Sequence, residues 1–280
     1  MAEYTTTGAP ISVPLVSGTL GWPGGVTVSS DGYLYVVNNA AGTVGKYTVS
    51  GGIVNPSLIT GLFDPWGIVL VGGNLFVVSG DDHGLPNTGS VGEYTTSGQT
   101  VNASLISGLN RSYGIAAYGN DLFITEEQGN VVAEYTTAGT LVNPSLISGL
   151  TNPFGIALGG GNIYVGNHST VGKYTMAGAT VNATLISGLS QPSGLALDGA
   201  GDLFVAELGK NRVGEYTTAG AIVNAALISV PNGPSGLAVV PEPSMEVLAL
   251  LGAATLMWWR PGKQHFKKSR DDTVAQGAAP

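Results

Sequence analysis

Asn38, Glu126, Asn167 and Glu207 each end a short apolar run: LYVVN, LFITE, IYVGN and LFVAE, with Ser79 ending a fifth, LFVVS. Amide and carboxylate oxygens are hard donors of the kind that hold Ca²⁺ or Mg²⁺. Glu126, Asn167 and Glu207 are therefore the metal candidates, although two carboxylates are a thin set for a divalent ion. His168 follows Asn167 directly and is the histidine suited to acid–base work, with Glu126 or Glu207 as its partner acid. A second column stands just before a glycine: Trp66, Tyr113, Phe154, Ser193 and Ser235, with Trp22 near the equivalent place in the first repeat. Flat rings beside amides and carboxylates suit a carbohydrate, whose apolar face they cover while the polar groups bond its hydroxyls. The same positions also suit plain structure, with rings wedged between repeats and polar groups capping strand ends.

Other chemistries find little support. The chain has no cysteine, so thiolate ligands, disulfides and cysteine nucleophiles drop out together. No Gly-x-Ser-x-Gly elbow occurs, and no Gly-x-Gly-x-x-Gly joins a strand to a helix. His83, beside Asp81 and Asp82, falls in the insertion SGDDHGLPNTG and reads as solvated loop, while His265 belongs to a basic tail. Residues 1–240 hold 14 acidic and 5 basic side chains, a balance that repels nucleic-acid phosphate.

What must position these residues is a repeat. EYTTTG, KYTVSG, EYTTSG, EYTTAG, KYTMAG and EYTTAG place tyrosine at 4, 47, 94, 135, 174 and 216, at spacings of 43, 47, 41, 39 and 42. A period near 42 built from short apolar runs is that of propeller blades. Within Gly194–Val230, GLALD, DLFVAE, RVGEYTT and AIVNAALISV give four strands, joined by glycine-bearing turns. Asn55, Asn102, Asn143, Asn182 and Asn224 recur once per repeat, as turn hydrogen bonding would require. With 44 glycines, 43% hydrophobic and 10% charged residues, the chain is an all-β fold with a core, not a disordered one. Six inner strands are counted. The first two strands (Glu3–Thr6, Ser12–Ser17) and the last (Gly236–Val240) would join as an incomplete closing blade, giving a six-bladed β-propeller of four-stranded blades.

PSGLALDGAGDLFVAELGKNRVGEYTTAG resembles an NHL-type propeller repeat, with Pro-x-Gly-Leu-Ala, then Gly-Asp-Leu-Phe-Val, then Asn211-Arg212-Val213. The resemblance covers about residues 24–240. It implies a binding scaffold, with streptogramin lyases and gluconolactonase-like hydrolases among the relatives.

The C-terminus departs from the repeats. Pro241-Glu242-Pro243-Ser244 precedes an uncharged run, Val247–Trp259, and Arg260, Lys263, Lys267, Lys268 and Arg270 follow it. As a helix that run would span about 20 Å, with interfacial tryptophans and a cytoplasm-facing basic stop. The order resembles the PEP-CTERM sorting signal of exported bacterial proteins. It implies an exosortase partner, transient anchoring in the inner membrane, and release to the cell surface or extracellular matrix of a Gram-negative-type bacterium. The N-terminus, MAEYTTTGAP, has no signal-peptide pattern.

The sequence thus predicts a propeller over 1–240, a sorting segment with a short transmembrane-like helix over 241–262, and a basic then polar tail over 263–280. The function it predicts is an exported, non-catalytic scaffold for glycan, exopolysaccharide or protein. The alternative is a metal-assisted lyase or lactone hydrolase of the streptogramin-lyase or gluconolactonase-like kind, with a divalent cation. A purely structural matrix component is the third reading.

Overall fold

The computed structural model describes residues 1–16, 20–79, 87–230 and 233–240. A hairpin of β1 (Glu3–Tyr4) and β2 (Pro10–Ser12) comes first. Blade one is β3–β6 (Pro23–Val28, Tyr33–Asn38, Thr43–Thr48, Ile53–Ile59). Blade two is β7–β10 (Ile68–Val71, Asn74–Ser79, Gly89–Thr95, Thr100–Leu109), and blade three is β11–β14 (Ser112–Tyr118, Asp121–Glu126, Val131–Thr136, Leu141–Ile147). Blade four is β15–β18 (Ile156–Gly159, Asn162–Asn167, Thr170–Thr175, Thr180–Ser187), and blade five is β19–β22 (Pro192–Leu197, Asp202–Glu207, Arg212–Thr217, Ile222–Ser229). Each blade is a four-stranded antiparallel meander in chain order. Among the described residues the only helical pieces are two single turns of 3-10 helix, Asn39–Ala41 and Leu208–Lys210.

The second strand is the keystone of each blade. β4, β8, β12, β16 and β20 share one pattern: a half-exposed first residue, then five buried ones. Alternating burial, as a sheet with one wet face would show, is absent because blades pack on both sides of this strand. Leu203 and Val205 join the cluster that blade five shares with Tyr164 and Val171 of blade four, and Leu75 and Val77 share one with Tyr35 and Val44 of blade one.

The recurring Tyr-Thr-x-x-Gly is the turn from third to outer strand. In each copy the threonine hydroxyl oxygen accepts the N–H four residues on, as Thr136 does from Thr140 at 3.1 Å. The glycine takes φ near +80°, a conformation that side chains with a Cβ resist. It has a second duty, since its missing Cβ makes room for the previous blade. Gly139 abuts the Leu105 carbonyl, and Gly98, Gly178 and Gly220 abut those of Leu58, Leu146 and Leu185. The glycine two before each tyrosine has a similar role: a Cβ at Gly45, Gly92 or Gly172 would lie 2.6 Å from that tyrosine's hydroxyl. Blade three carries Ala133 instead, and its Tyr135 is half-exposed where Tyr47, Tyr94, Tyr174 and Tyr216 are buried.

Five four-stranded blades are present, not six. The expected closing blade is not a sheet among the described residues: β1 pairs only with β2, both are shorter than predicted, and residues 233–240 enter no ladder. Among the described residues no second strand stands between those pieces to bridge them. They nonetheless follow the spacing of the ring. Gly8 abuts the Leu227 carbonyl of blade five, Gly51 of blade one abuts that of Leu15, and Gly236 lies against the Gly24 backbone. Ser193 donates to the Pro234 carbonyl at 2.8 Å, and Ser235 donates to that of Pro23. Pro241–Ser244, the run Val247–Trp259 and Arg260 lie outside the described residues. So does His83. Among the described residues no helix is long and apolar enough to cross a membrane.

Gly139→Ala combines a strained φ of +81° with a Cβ 2.6 Å from the Leu105 carbonyl. It is expected to lower unfolding free energy by about 2–4 kcal/mol in urea titration. Gly149→Ala, at φ +70° with open space around it, carries only the backbone strain. It should lower unfolding free energy by about 1–2 kcal/mol.

Candidate functional site

Six inner segments line a central channel: Gly24–Val26, 66–68, 113–115, 154–156, 193–195 and 235–237. Trp66, Tyr113 and Phe154 meet there. Tyr113 and Phe154 stack with centroids 4.0 Å apart, and Trp66 sets its edge toward both, at 5.1 and 6.0 Å. The rings therefore pack on one another within the channel. Small residues, Ser193, Ser235 and Gly24, occupy the three remaining stations. Trp22 is not in this column; Gly24 holds its place, and Trp22 is 77% exposed.

One residue before the proline or serine that opens each inner segment, the chain turns left-handed. Trp22, Asp64, Arg111, Asn152 and Gln191 have φ between +43° and +53°, and Gly233 completes the ring at +67°. Each such non-glycine residue costs about 1–3 kcal/mol, strain that tends to gather at functional sites. The loops after the second strands secure them: the N–H groups of Asn39, Glu127 and Leu208 donate to the carbonyls of Trp22, Arg111 and Gln191 at 3.2, 2.9 and 3.1 Å. At blade four the bond shifts by one residue, from His168 to the Thr151 carbonyl at 2.9 Å.

The polar column is mostly engaged in structure. Asn38 Oδ1 accepts from Gly21 N–H at 3.0 Å, Glu126 Oε2 from Asn110 N–H at 2.9 Å, and Glu207 Oε2 from Ser190 N–H at 3.0 Å. Each bond ties the end of a second strand to the loop entering its own blade. Glu207 is fully buried and also pairs with Arg212 Nε at 2.6 Å and Lys210 Nζ at 3.1 Å. Burial pushes the Glu126 carboxyl above the usual carboxylate range, partly offset by the Asn110 N–H. This set offers a divalent ion few donors: both Glu207 oxygens are taken by Arg212, Lys210 and Ser190 N–H, and Asn38 and Glu126 each commit one oxygen to a backbone N–H. Among the described residues no three acids or histidines gather as a metal cluster.

Asn167 breaks the pattern. It is buried, and its Oδ1 has no hydrogen-bond partner. An orphaned buried acceptor costs about 1–3 kcal/mol. Asn167 lines a second, small cavity at the mouth, of about 80 Å³, together with Glu127, Asn152, Phe154, His168, Gln191, Pro192, Ser193 and Leu208. Of the sequence candidates, then, Asn167, His168 and Phe154 come together here. Glu126 and Glu207 do not line it; the acid that lines the cavity with His168 is Glu127, paired with Arg111 at 3.0 Å. Glu127 escaped notice because it lies one residue beyond the column, in the loop after β12. The left-handed residues Asn152 and Gln191 were missed because their conformation has no sequence signature beyond the proline that follows.

Neither a protein-family model nor a curated protein sequence matches this chain. Solved structures do. A gluconolactonase from Xanthomonas campestris matches with TM-score 0.64 at 14% identity, over 78% of this chain and 79% of that one. A calcium-binding protein, regucalcin, from Agrobacterium tumefaciens matches with TM-score 0.60 at 14% identity, over 78% of each chain. A catalytically inactive histidine-to-alanine variant of virginiamycin B lyase from Staphylococcus aureus, solved with quinupristin, matches with TM-score 0.52 at 22% identity, over 73% and 70%. The chain shares the β-propeller fold of these proteins.

Glu126→Gln keeps an oxygen for the Asn110 N–H and removes the buried charge. Because burial raises the folded-state pKa, the wild type loses stability as pH rises from the ordinary carboxylate range through that value. The variant should show no such loss. Its advantage in urea midpoint should grow between pH 4 and neutrality and then level off.

Proposed function

We propose that the mouth cavity is a proton-transfer site and that the protein is an enzyme of the lyase or lactone-hydrolase kind. The observation that carries this is the grouping of exposed His168 with the unused acceptor of Asn167 and with Glu127 in one cavity walled by Phe154. Opening a lactone by elimination or by water requires a proton to leave carbon or water and another to reach the departing oxygen. Imidazole can both take and give it near neutral pH. The propeller likeness to a gluconolactonase and a lyase supports the reading. The proton-transfer form is preferred to the metal-assisted one because the Glu207 carboxylate is held by Arg212, Lys210 and Ser190 N–H.

Incubating the protein with a panel of sugar lactones and cyclic depsipeptides tests this. His168→Ala should lower kcat/KM by about 10²–10⁴-fold, while Glu126→Gln, outside the cavity, leaves it unchanged. Retention of a panel member without turnover would return the molecule to the scaffold role.

We also propose that residues 241–262 act as an exosortase-read address, delivering the propeller to the cell surface by way of the inner membrane. Pro241-Glu242-Pro243-Ser244, the apolar run and Arg260 support it. A secreted reporter fused to residues 235–280 should fractionate with membranes and then be cleaved. A soluble, uncleaved reporter would reject the address.

A further inference from the structure

We propose that Asn102 and Asn182, on the rim of the disc, are acceptors for a covalently attached glycan. This goes beyond the reading of the mouth cavity and shares no residue with it. Asn-x-Ser/Thr is the acceptor triplet for N-linked sugar, provided the middle residue is not proline. The chain holds six such spacings, at Asn55, Asn102, Asn110, Asn143, Asn167 and Asn182. Proline stands in the middle at Asn55 and Asn143. Asn167 is buried, and so is Ser112, the hydroxyl residue that follows Asn110. The fold leaves two: Asn102-Ala103-Ser104 and Asn182-Ala183-Thr184, with every residue of both exposed.

Both triplets occupy the same place, in the outer strands β10 and β18. Asn102 faces Glu93 and Ile106 faces Val91, so a step of four residues is set against a step of two. Asn182 and Ile186 repeat this against Lys173 and Val171. The triplet therefore swings out of the ladder as a bulge. In each, the asparagine Oδ1 accepts the N–H two residues on, at 3.1 Å. That turn draws the hydroxyl-bearing residue back toward the amide, so a transferase meets both groups together. Nδ2, the atom that would carry the sugar, enters no hydrogen bond among the described residues.

A second observation says what a glycan would do there. The outer strand is the rim edge of every blade, and none of the five carries a charged residue. Exposed Val54, Val101, Val142, Val181 and Val223 make those edges apolar as well. Such an edge invites pairing with another copy unless something blunts it. Pro56 does so in blade one and Pro144 in blade three, each by removing an N–H donor. Blades two and four have alanine at that position, and they are the blades with a complete acceptor triplet. A bulky, hydrated chain on Asn102 or Asn182 would shield the edges that lack proline. Blade five has neither device: Asn224 makes the same turn, but Ala226 stands where the hydroxyl would be.

A carboxamide nitrogen is a poor nucleophile, so a transferase supplies the activation and a polyprenyl-diphosphate-linked oligosaccharide supplies the sugar. Nδ2 attacks C1 of the first sugar and the N–C1 bond forms. The C1–O bond to phosphate breaks, its electron pair leaving on the diphosphate, and one amide proton passes to a base of the transferase.

The test incubates the purified full chain with that donor and a single-subunit oligosaccharyltransferase that requires only Asn-x-Ser/Thr and is active on a reference peptide. Intact mass and peptide mapping read the product. Two glycans are expected, on Asn102 and Asn182. Asn102→Gln and Asn182→Gln should each remove one, and Ser104→Ala and Thr184→Ala should do the same while keeping the asparagine. Ala226→Ser should add a third, on exposed Asn224. No transfer to the folded chain, transfer to Asn110 or Asn167 instead, or transfer undiminished by Ser104→Ala and Thr184→Ala would overturn the inference. Because the reaction uses purified protein, its outcome depends neither on lactone turnover nor on export by residues 241–262.

Discussion

Each blade is kept at a fixed distance from its neighbour by a turn glycine set against a leucine carbonyl. The threonine hydroxyl shapes the turn, the positive φ aims it, and the missing Cβ lets two backbones meet. The contact recurs at every boundary around the disc, including those made by the β1–β2 hairpin and by Leu15. Spacing fixed at the rim fixes spacing at the hub. The six inner segments then surround a channel narrow enough for Trp66, Tyr113 and Phe154 to fill one side of it. The doubly buried second strands transmit this regularity, since five consecutive buried residues leave no freedom to slide.

On so regular a frame, the mouth is where blades differ. The left-handed position carries Trp22, Asp64, Arg111, Asn152 and Gln191, five chemistries on one backbone shape. The polar column differs less, because most of its members tie a loop to a strand end. Glu207 shows how far that role can go: a carboxylate out of reach of water, held by two cations and an amide N–H. Such a group stabilises only as a complete set, since removing one partner leaves buried charge uncompensated.

Much of the fold was legible. The tyrosine period gave the blades, and Tyr-Thr-x-x-Gly marked a turn whose hydroxyl bond is now visible in each copy. Asn55, Asn102, Asn143, Asn182 and Asn224 do accept the N–H two residues on, each at 3.1 Å. Blade number was harder, because a count of inner segments does not reveal whether each finds a second strand. The site was legible only as columns. Asn38, Asn167, Glu126 and Glu207 look equivalent in sequence, and what separates them is a hydrogen bond to a residue 16 or 17 positions earlier. Glu127 rather than Glu126 reaches the cavity because Glu126 closes the strand and its neighbour begins the loop. Nothing in residue type distinguishes the two.

The mouth cavity takes Glu127 from blade three, Asn167 and His168 from blade four, and Gln191 and Leu208 from blade five. Since the boundary contact is the same everywhere, that contact would hold whatever the order of the blades. The pocket would not survive such shuffling, because no single blade contains it. What the gene stores about that cavity is therefore the order in which near-identical modules are strung together.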